Sequence, residues 1–179
     1  LIERFNKEEL AYLKELKSVK RGRISELAKE FSYEFYQDKK VWQFPAELAF
    51  PCATQNEILE EDARELLKSS CLLVAEGANM PVAKKALQLL RDAKVLIAPG
   101  KAANAGGVAI SGLEMSQNSM RMTWERKVVD QKLQEIMKNI HQQCYLEGLA
   151  SDGFVDYVKG ANLASFKKVL RVVKSFGII

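Results

Sequence analysis

Three short loops of the sequence each carry one asparagine, and each loop follows an apolar run. The loops are PCATQNE (Pro51–Glu57), EGANMP (Glu76–Pro81) and PGKAANAGG (Pro99–Gly107), with Asn56, Asn79 and Asn104. An asparagine carboxamide both donates and accepts hydrogen bonds and is neutral at ordinary pH. Three of them together would suit a neutral polar group of a ligand, such as a carboxamide or a ribose hydroxyl. They do not suit a metal, which prefers His, Cys or carboxylate clusters.

The elements around these loops predict that the loops lie together. The apolar runs ELAFPC, CLLVAEGAN and KVLIAPG alternate with the helical segments EEDARELLKSS and PVAKKALQLLRDA. This alternation is typical of a β-α-β-α-β unit with a parallel sheet, whose ligands bind beyond the carboxyl ends of the strands. Each asparagine alone is better explained as an ordinary turn residue. Three such loops on one edge favour a binding site instead.

Two amphipathic helices are predicted before the first apolar run. In NKEELAYLKELKS, Asn6 can cap the helix, and Glu9 three residues later completes a capping box. The segment RISELAKEFSYEFY repeats apolar residues on one helical face, namely Ile24, Leu27, Phe31 and Phe35.

Long helices are predicted after Gly107. Apolar residues recur at three- and four-residue steps from Val129 to Cys144, which indicates one long helix. A last helix is predicted from about Leu163 to Phe176, with Asn162 as its N-cap and Gly177 just past its end.

These patterns predict an α/β fold in which a parallel sheet is followed by long C-terminal helices. Pro81 is predicted to occupy the first position of the helix PVAKKALQLLRDA, a position that favours proline. We expect residues 1–105 to form the sheet-containing domain and residues 106–179 to form a C-terminal helical segment.

Composition excludes several classes of protein. The 179 residues, 47% hydrophobic and 28% charged, suit a globular chain with one sizeable core. No apolar run approaches the roughly 20 residues that span a bilayer, and no signal-peptide pattern is present. The three cysteines are scattered, which argues against a disulfide framework and for a reducing compartment. The net charge is +4, and its densest basic cluster, Lys17 to Arg23, is better explained as a solvated helix end than as a nucleic-acid interface.

The sequence lacks several familiar motifs. No G-x-G-x-x-G phosphate turn occurs, and Val95 stands where a Walker loop ending at Gly100-Lys101 would need glycine. His141, the single histidine, lies one helical turn from Cys144. Two candidate ligands do not make a metal site, so a structural or surface role is expected for His141.

At the three loops the sequence resembles a known family. PCATQNE, EGANMP and above all APGKAANAGGVAISGLEMSQN are similar to the C-terminal part of hexameric glutamate dehydrogenase, of the small NADP-dependent type. KRGRISE and YVKGANLASFKKV also fit, so the resemblance extends from about Lys7 to Ile179. The departures are PAELAF, where the family more often has aspartate followed by Ile-Ala-Leu, and Ser165, where glycine is common.

The resemblance implies a Rossmann-like sheet, of which residues 1–105 would be a part, and a nicotinamide cofactor. Glutamate dehydrogenases reversibly convert L-glutamate to 2-oxoglutarate and ammonium, with NADP here expected as cofactor and NAD as the alternative. It implies that Ala53, Thr54 and Gln55 lie along the cofactor, and that Asn79 and Asn104 hold its nicotinamide end.

The resemblance also implies a substrate wall. Ser111 would donate a hydrogen bond to the side-chain carboxylate of glutamate, and Val108 would shape the pocket beside it. Gly106 and Gly107 would let the main chain pass close to the ligands.

The family's catalytic lysines and aspartate, and its glycine-rich phosphate turn, belong to parts that this sequence does not contain. We therefore expect no catalytic residue in this chain and no activity from it alone. It begins at Leu1 without Met, and we expect it to be the later part of a longer, cytoplasmic, homohexameric enzyme that binds neither nucleic acid nor membrane. The alternatives are another amino-acid dehydrogenase of the family, a non-catalytic interaction fragment, and nucleic-acid binding through Lys17–Arg23.

Overall fold

In a computed structural model of the protein, residues 2 and 4–177 are described. The chain forms two compact units, Leu1–Lys40 and Val41–Ile179. The helices are α1 (Lys7–Ser18), α2 (Ile24–Glu30), α3 (Glu60–Lys68), α4 (Lys84–Asp92), α5 (Gly100–Ala103), α6 (Ala105–Met120), α7 (Arg126–Gly148) and α8 (Tyr157–Ser175). The strands are β1 (Leu48–Ala49), β2 (Leu73–Ala75) and β3 (Leu96–Ala98), and a single 3-10 turn covers Val41–Gln43.

The first unit is a pair of helices, α1 and α2. The predicted capping box is confirmed, because Asn6 Oδ1 accepts from the backbone N–H of Glu9 at 2.9 Å and Glu9 Oε2 accepts from that of Asn6 at 2.8 Å. Leu16 and Leu27 are each 1% exposed and form the centre of this unit.

The predicted length of the second helix is wrong. Helix α2 ends at Glu30, and Ser32 adopts a left-handed backbone with φ of 56°. The N–H of Tyr33 then donates to the carbonyl of Ala28 at 2.8 Å, which closes the helix end. Phe35 therefore lies outside the helix and does not extend its apolar face.

The basic cluster of this unit is partly engaged by its neighbours. Lys20 forms an ion pair with Glu15 at 3.1 Å, and Lys17 Nζ donates to the carbonyl of Gly22 at 3.0 Å. These contacts belong to a helix end and its turn, as the sequence predicts.

The second unit contains the predicted parallel sheet, with strand order β1-β2-β3. Ala49 pairs with Val74, and Val74 with Ile97, so these three side chains share one face of the sheet. That face is buried and forms the core with α3 and α4, since Leu66 and Leu90 are fully buried in the same cluster. The predicted α/β fold with a parallel sheet and long C-terminal helices is confirmed.

Pro81 does not begin a helix. Its carbonyl accepts from the N–H of Ile58 at 2.9 Å, and Ile58 and Val82 form a parallel bridge beyond the strands. Helix α4 begins only at Lys84. The prediction was wrong because Pro81 and Val82 pair with the segment at Ile58 before the helix begins.

The N-terminus of the last helix also differs from its prediction. Helix α8 begins at Tyr157, and the side chain of Asp156 caps it by accepting from the N–H of Lys159 at 3.0 Å. Asn162 lies inside the helix. The predicted end is confirmed, because Gly177 follows the helix with φ of 71°.

The predicted division at residue 105 lies at the start of α6, inside the second compact unit. The assignment of residues 106–179 as a segment that leads toward a further domain stays a prediction. In the described part of the chain, none of the helices combines the length and apolarity needed to cross a bilayer.

Helices α7 and α8 approach each other backbone to backbone. A Cβ added to Gly160 would lie 2.0 Å from the carbonyl oxygen of Cys144 and 3.0 Å from the nitrogen of Gly148. A Cβ on Gly148 would lie 2.5 Å from the carbonyl oxygen of Asp156. Only glycine at both positions permits this contact.

Gly160→Ala is expected to lower the free energy of unfolding by about 1–3 kcal/mol, because the two helix backbones must separate. Gly112→Ala is the matched control: Gly112 is also helical, but an added Cβ there meets nothing within 4 Å. This control should raise stability by about 0.5–1 kcal/mol through the backbone entropy of glycine. Urea unfolding measures both, and equal effects would contradict the proposed packing constraint.

Candidate functional site

The third predicted loop, Pro99–Gly107, is wrong as a loop, because it contains α5 and the start of α6; we keep the name third loop for this segment. The three asparagine-bearing segments leave the carboxyl ends of β1, β2 and β3 on one edge of the sheet, as predicted. They enclose an open cleft of about 670 Å³, which we call the loop cleft. Its lining residues are Cys52, Ala53, Thr54, Gln55, Gly77, Ala78, Asn79, Asn104 and Val108.

The first two loops are joined through their backbones. The carbonyl of Pro51 accepts from the N–H groups of Gly77 and Ala78 at 3.0 and 3.1 Å. A Cβ on Gly77 would lie 2.5 Å from Cys52 Sγ, so the close approach of the loops requires glycine at this position. The floor of the loop cleft is therefore fixed by main-chain contacts.

Glu57 shapes the first loop, a role that our sequence analysis missed. Its Oε2 accepts from the N–H of Ala53 at 2.9 Å and lies 3.3 Å from the N–H of Thr54. The signal was present in the sequence, since a carboxylate three or four residues after a turn can accept from the turn's own N–H groups.

Asn104 joins the third loop to the second. Its Nδ2 lies 2.8 Å from Asn79 Oδ1 and 3.2 Å from each of the carbonyl oxygens of Gly77 and Ala78. A backbone carbonyl can only accept, so the nitrogen of this carboxamide must face the second loop. The orientation of Asn104 is thereby determined, and so is that of Asn79, whose oxygen receives the bond.

This arrangement leaves a defined pair of groups for a ligand. Among the described residues, neither Asn79 Nδ2 nor Asn104 Oδ1 has a hydrogen-bond partner. One is a donor and the other an acceptor. A primary carboxamide offers the complementary pair, a carbonyl oxygen and an NH₂ group.

Glu76 lies behind the loop cleft, and sequence reasoning also missed it. The residue is 8% exposed, and its Oε2 accepts from the N–H of Gly100 at 2.6 Å in a buried hydrogen bond. This bond joins the second loop to the start of the third.

The structure brings together six of the seven predicted site residues. Ala53, Thr54, Gln55, Asn79, Asn104 and Val108 all line the loop cleft. Their roles toward a ligand stay predictions.

The seventh predicted site residue, Ser111, and the third asparagine, Asn56, lie outside the loop cleft. Ser111 is exposed one turn further along α6, and its Oγ is 3.3 Å from the carbonyl oxygen of Gly107. Asn56 does not line the loop cleft with the other two asparagines, but lines an adjoining cavity together with Asn79. Its backbone is left-handed, with φ of 53°, and its N–H donates to the carbonyl of Met80 at 3.0 Å. Asn56 is therefore a turn residue.

The remaining chemically active side chains are used structurally. Lys101 Nζ donates to Asn162 Oδ1, which ties α5 to α8. His141 Nε2 is 3.0 Å from the hydroxyl of Tyr157. Burial raises the pKa of the Cys144 thiol, which disfavours the thiolate that a metal would need. The described residues contain no group of three or more His, Cys, Asp or Glu side chains that could hold a metal ion.

Comparison with known proteins matches residues 5–177 to the model of the Glutamate/Leucine/Phenylalanine/Valine dehydrogenase family. The chain belongs to this family. It is 50% identical over 171 residues to an NAD(P)-specific glutamate dehydrogenase of Xylanibacter ruminicola, and 46% identical over 175 residues to the NADP-specific glutamate dehydrogenase of Escherichia coli. Its fold superposes on the crystal structure of Plasmodium falciparum glutamate dehydrogenase with a TM-score of 0.90 and 45% identity, covering 98% of this chain.

These dehydrogenases are longer than this chain. It spans 38% and 39% of the length of the two bacterial relatives and 38% of the Plasmodium chain, although 96% and 98% of its own residues align with the bacterial sequences. The likeness to the family therefore covers all three loops and both long C-terminal helices.

The oriented carboxamides predict different effects for two similar substitutions. Asn104→Asp would turn an oxygen toward three acceptor oxygens, so it should lower the free energy of unfolding by about 1–3 kcal/mol. Asn79→Asp keeps the acceptor that Asn104 uses, so its effect should stay within about 0.5 kcal/mol. Urea unfolding at neutral pH compares the two variants. A larger loss for Asn79→Asp would mean that the carboxamides are oriented the other way.

Proposed function

We propose that this chain forms the nicotinamide-binding and substrate-facing wall of a glutamate dehydrogenase. The observation that carries the proposal is the Asn79–Asn104 pair, which presents one NH₂ donor and one carbonyl acceptor in the loop cleft. A nicotinamide ring carries a primary carboxamide, and the pair is complementary to it. The names of the bacterial relatives support NADP as the cofactor, with NAD as the alternative.

The cofactor, when bound, accepts or donates the hydride that converts L-glutamate to 2-oxoglutarate and ammonium. The residues of this chain supply position. Asn79 Nδ2 would donate to the carboxamide oxygen, and Asn104 Oδ1 would accept from its NH₂ group. Together these bonds fix the rotation of the ring in the cleft. Ala53, Thr54 and Gln55 line the cleft on the side of the first loop, and they would lie along the cofactor.

Ser111 and Val108 face the substrate in this proposal. Ser111 Oγ is exposed, and its 3.3 Å contact with the carbonyl of Gly107 is long, so the hydroxyl can turn to donate to the carboxylate of glutamate. Val108 is 74% exposed on the same helix and supplies an apolar wall. A hydrogen bond to a charged group contributes about 1.5–3 kcal/mol, enough to distinguish glutamate from an apolar amino acid.

No residue of this chain is assigned the acid–base steps. The proposal assigns the catalytic lysines and aspartate to a part of the enzyme outside this sequence, and the 179 residues alone are expected to be inactive. A cytoplasmic homohexamer is the assembled form that the resemblance to the family favours.

The test uses the full-length enzyme that carries this sequence. Oxidation of NADPH and of NADH is followed with 2-oxoglutarate plus ammonium, and with branched-chain 2-oxo acids plus ammonium. Turnover should be confined to 2-oxoglutarate. Ser111→Ala should lower kcat/KM for 2-oxoglutarate by about 10- to 150-fold, the loss of one charged hydrogen bond.

Ser165→Ala is the matched control, because Ser165 Oγ also donates to a helix carbonyl, that of Ala161, at 2.7 Å and lies outside the loop cleft. It should leave kcat/KM unchanged. Turnover with a branched-chain acid but not with 2-oxoglutarate would replace this proposal with another amino-acid dehydrogenase of the family. Absence of turnover with every oxo acid would reject the enzymatic proposal altogether.

A further inference from the structure

We propose that Glu76 is a positioning residue that holds Asn104 in register with Asn79, and so determines how tightly the enzyme binds the carboxamide of its cofactor. The inference rests on the proposed function. Glu76 lines an adjoining cavity that shares Gln55 and Asn79 with the loop cleft, and the role proposed for it is exerted through its contact with Gly100.

The backbone of Glu76 is held by the sheet. Glu76 directly follows β2, and its own N–H donates to the carbonyl of Ala98 at 3.0 Å, which continues the pairing of β2 with β3 by one residue. Its backbone is therefore fixed to the sheet. From there the buried carboxylate reaches the N–H of Gly100 at 2.6 Å.

Gly100 transmits the position to Asn104. Helix α5 is a single turn that starts at Gly100 and ends with Asn104 as its C-cap, where the N–H of Asn104 donates to the carbonyl of Gly100 at 2.9 Å. A shift of Gly100 would move Asn104 with it. The carboxylate of Glu76 thus fixes the Gly100 end of α5, and the carbonyl groups of the second loop hold the Asn104 end.

The surroundings of Gly100 are also closely packed. A Cβ on Gly100 would lie 2.9 Å from the carbonyl oxygen of Ala78, 3.3 Å from Glu76 Oε2 and 3.4 Å from Asn104 Nδ2. The carbonyl of Ala78 is one of the oxygens that orient Asn104. Any added bulk at Gly100 would therefore separate the two loops at the point where the carboxamides meet.

What Glu76 contributes is a buried acceptor for a backbone N–H. Leaving that N–H without a partner is costly in a buried site. Glutamine offers a carbonyl oxygen of the same reach, so Glu76→Gln should preserve the hydrogen bond from the N–H of Gly100. Leucine fills a similar volume without an acceptor, so Glu76→Leu should release the start of α5.

The experiment measures kcat/KM of the full-length enzyme for NADPH and for its 3-acetylpyridine analogue, in which a methyl group replaces the amide NH₂. The analogue cannot donate to Asn104 Oδ1. Its binding should therefore be less sensitive to the position of Asn104 than the binding of NADPH. The ratio of the two kcat/KM values thus reports this position specifically.

Glu76→Leu should reduce the preference for NADPH over the analogue by about tenfold, the worth of one hydrogen bond. Glu76→Gln should stay within about threefold of the unsubstituted enzyme. Gly100→Ala leaves the carboxylate in place but forces the loops apart, so it should reduce the preference as Glu76→Leu does. Gly100→Ala therefore tests the inference even if Glu76→Leu fails to fold.

Asp62→Ala is the matched control. Asp62 is a buried carboxylate, 4% exposed, that accepts from the N–H of Leu59 at 2.8 Å and so caps α3. This variant should leave the preference unchanged, even if it is less stable. Equal losses for both cofactors in Glu76→Leu and Gly100→Ala, or a changed preference in Asp62→Ala, would overturn the inference. Failure of the proposed function is distinguishable, because the unsubstituted enzyme would then not oxidise NADPH with 2-oxoglutarate.

Discussion

The Nδ2 atom of Asn104 lies within hydrogen-bonding distance of three oxygens of the neighbouring loop, and the candidate site depends on that convergence. Two of the oxygens are backbone carbonyls, which cannot donate, so the carboxamide has one allowed orientation. A neutral side chain thus acquires a fixed polarity without any charged partner. The same bonds orient Asn79, and the pair together presents a donor and an acceptor to the cleft.

The parallel sheet makes this convergence available. Because β1, β2 and β3 run in the same direction, the segments that leave them meet at one edge. Hydrogen bonds between the loops then restrict their conformations. Pro51 holds the first two loops together, and Glu76 holds the second to the third. Close packing at Gly148 and Gly160 joins α7 to α8, and the bond from Lys101 to Asn162 joins α8 to the third loop.

Sequence reasoning predicted the features that depend on periodicity and local chemistry. Alternating apolar runs and helices gave the parallel sheet, and the Asn6–Glu9 spacing gave the capping box. The errors concern where helices begin. Pro81 and Asn162 have typical helix-start chemistry, but the carbonyl of Pro81 is bonded to Ile58 of another segment, and Asp156 caps α8 ahead of Asn162.

The missed residues of the site follow the same logic. The partner of Glu76 is the backbone N–H of a residue 24 positions away. Because every residue except proline has a backbone N–H, the sequence does not indicate which of them a side chain will bind. Glu57 acts on a nearby turn, and its spacing could have been recognised. Residue types predicted Asn79 and Asn104 at the cleft, and the resemblance to the family added Ala53, Thr54, Gln55 and Val108. The contacts between loops, which orient those side chains, required the structure.

A crystal structure of the full-length enzyme with bound NADP would test the central claim most directly. The account predicts that the carboxamide oxygen of the nicotinamide lies within hydrogen-bond distance of Asn79 Nδ2 and that its nitrogen lies within the same distance of Asn104 Oδ1. A carboxamide bound in the reverse orientation, or a nicotinamide ring outside the loop cleft, would contradict it.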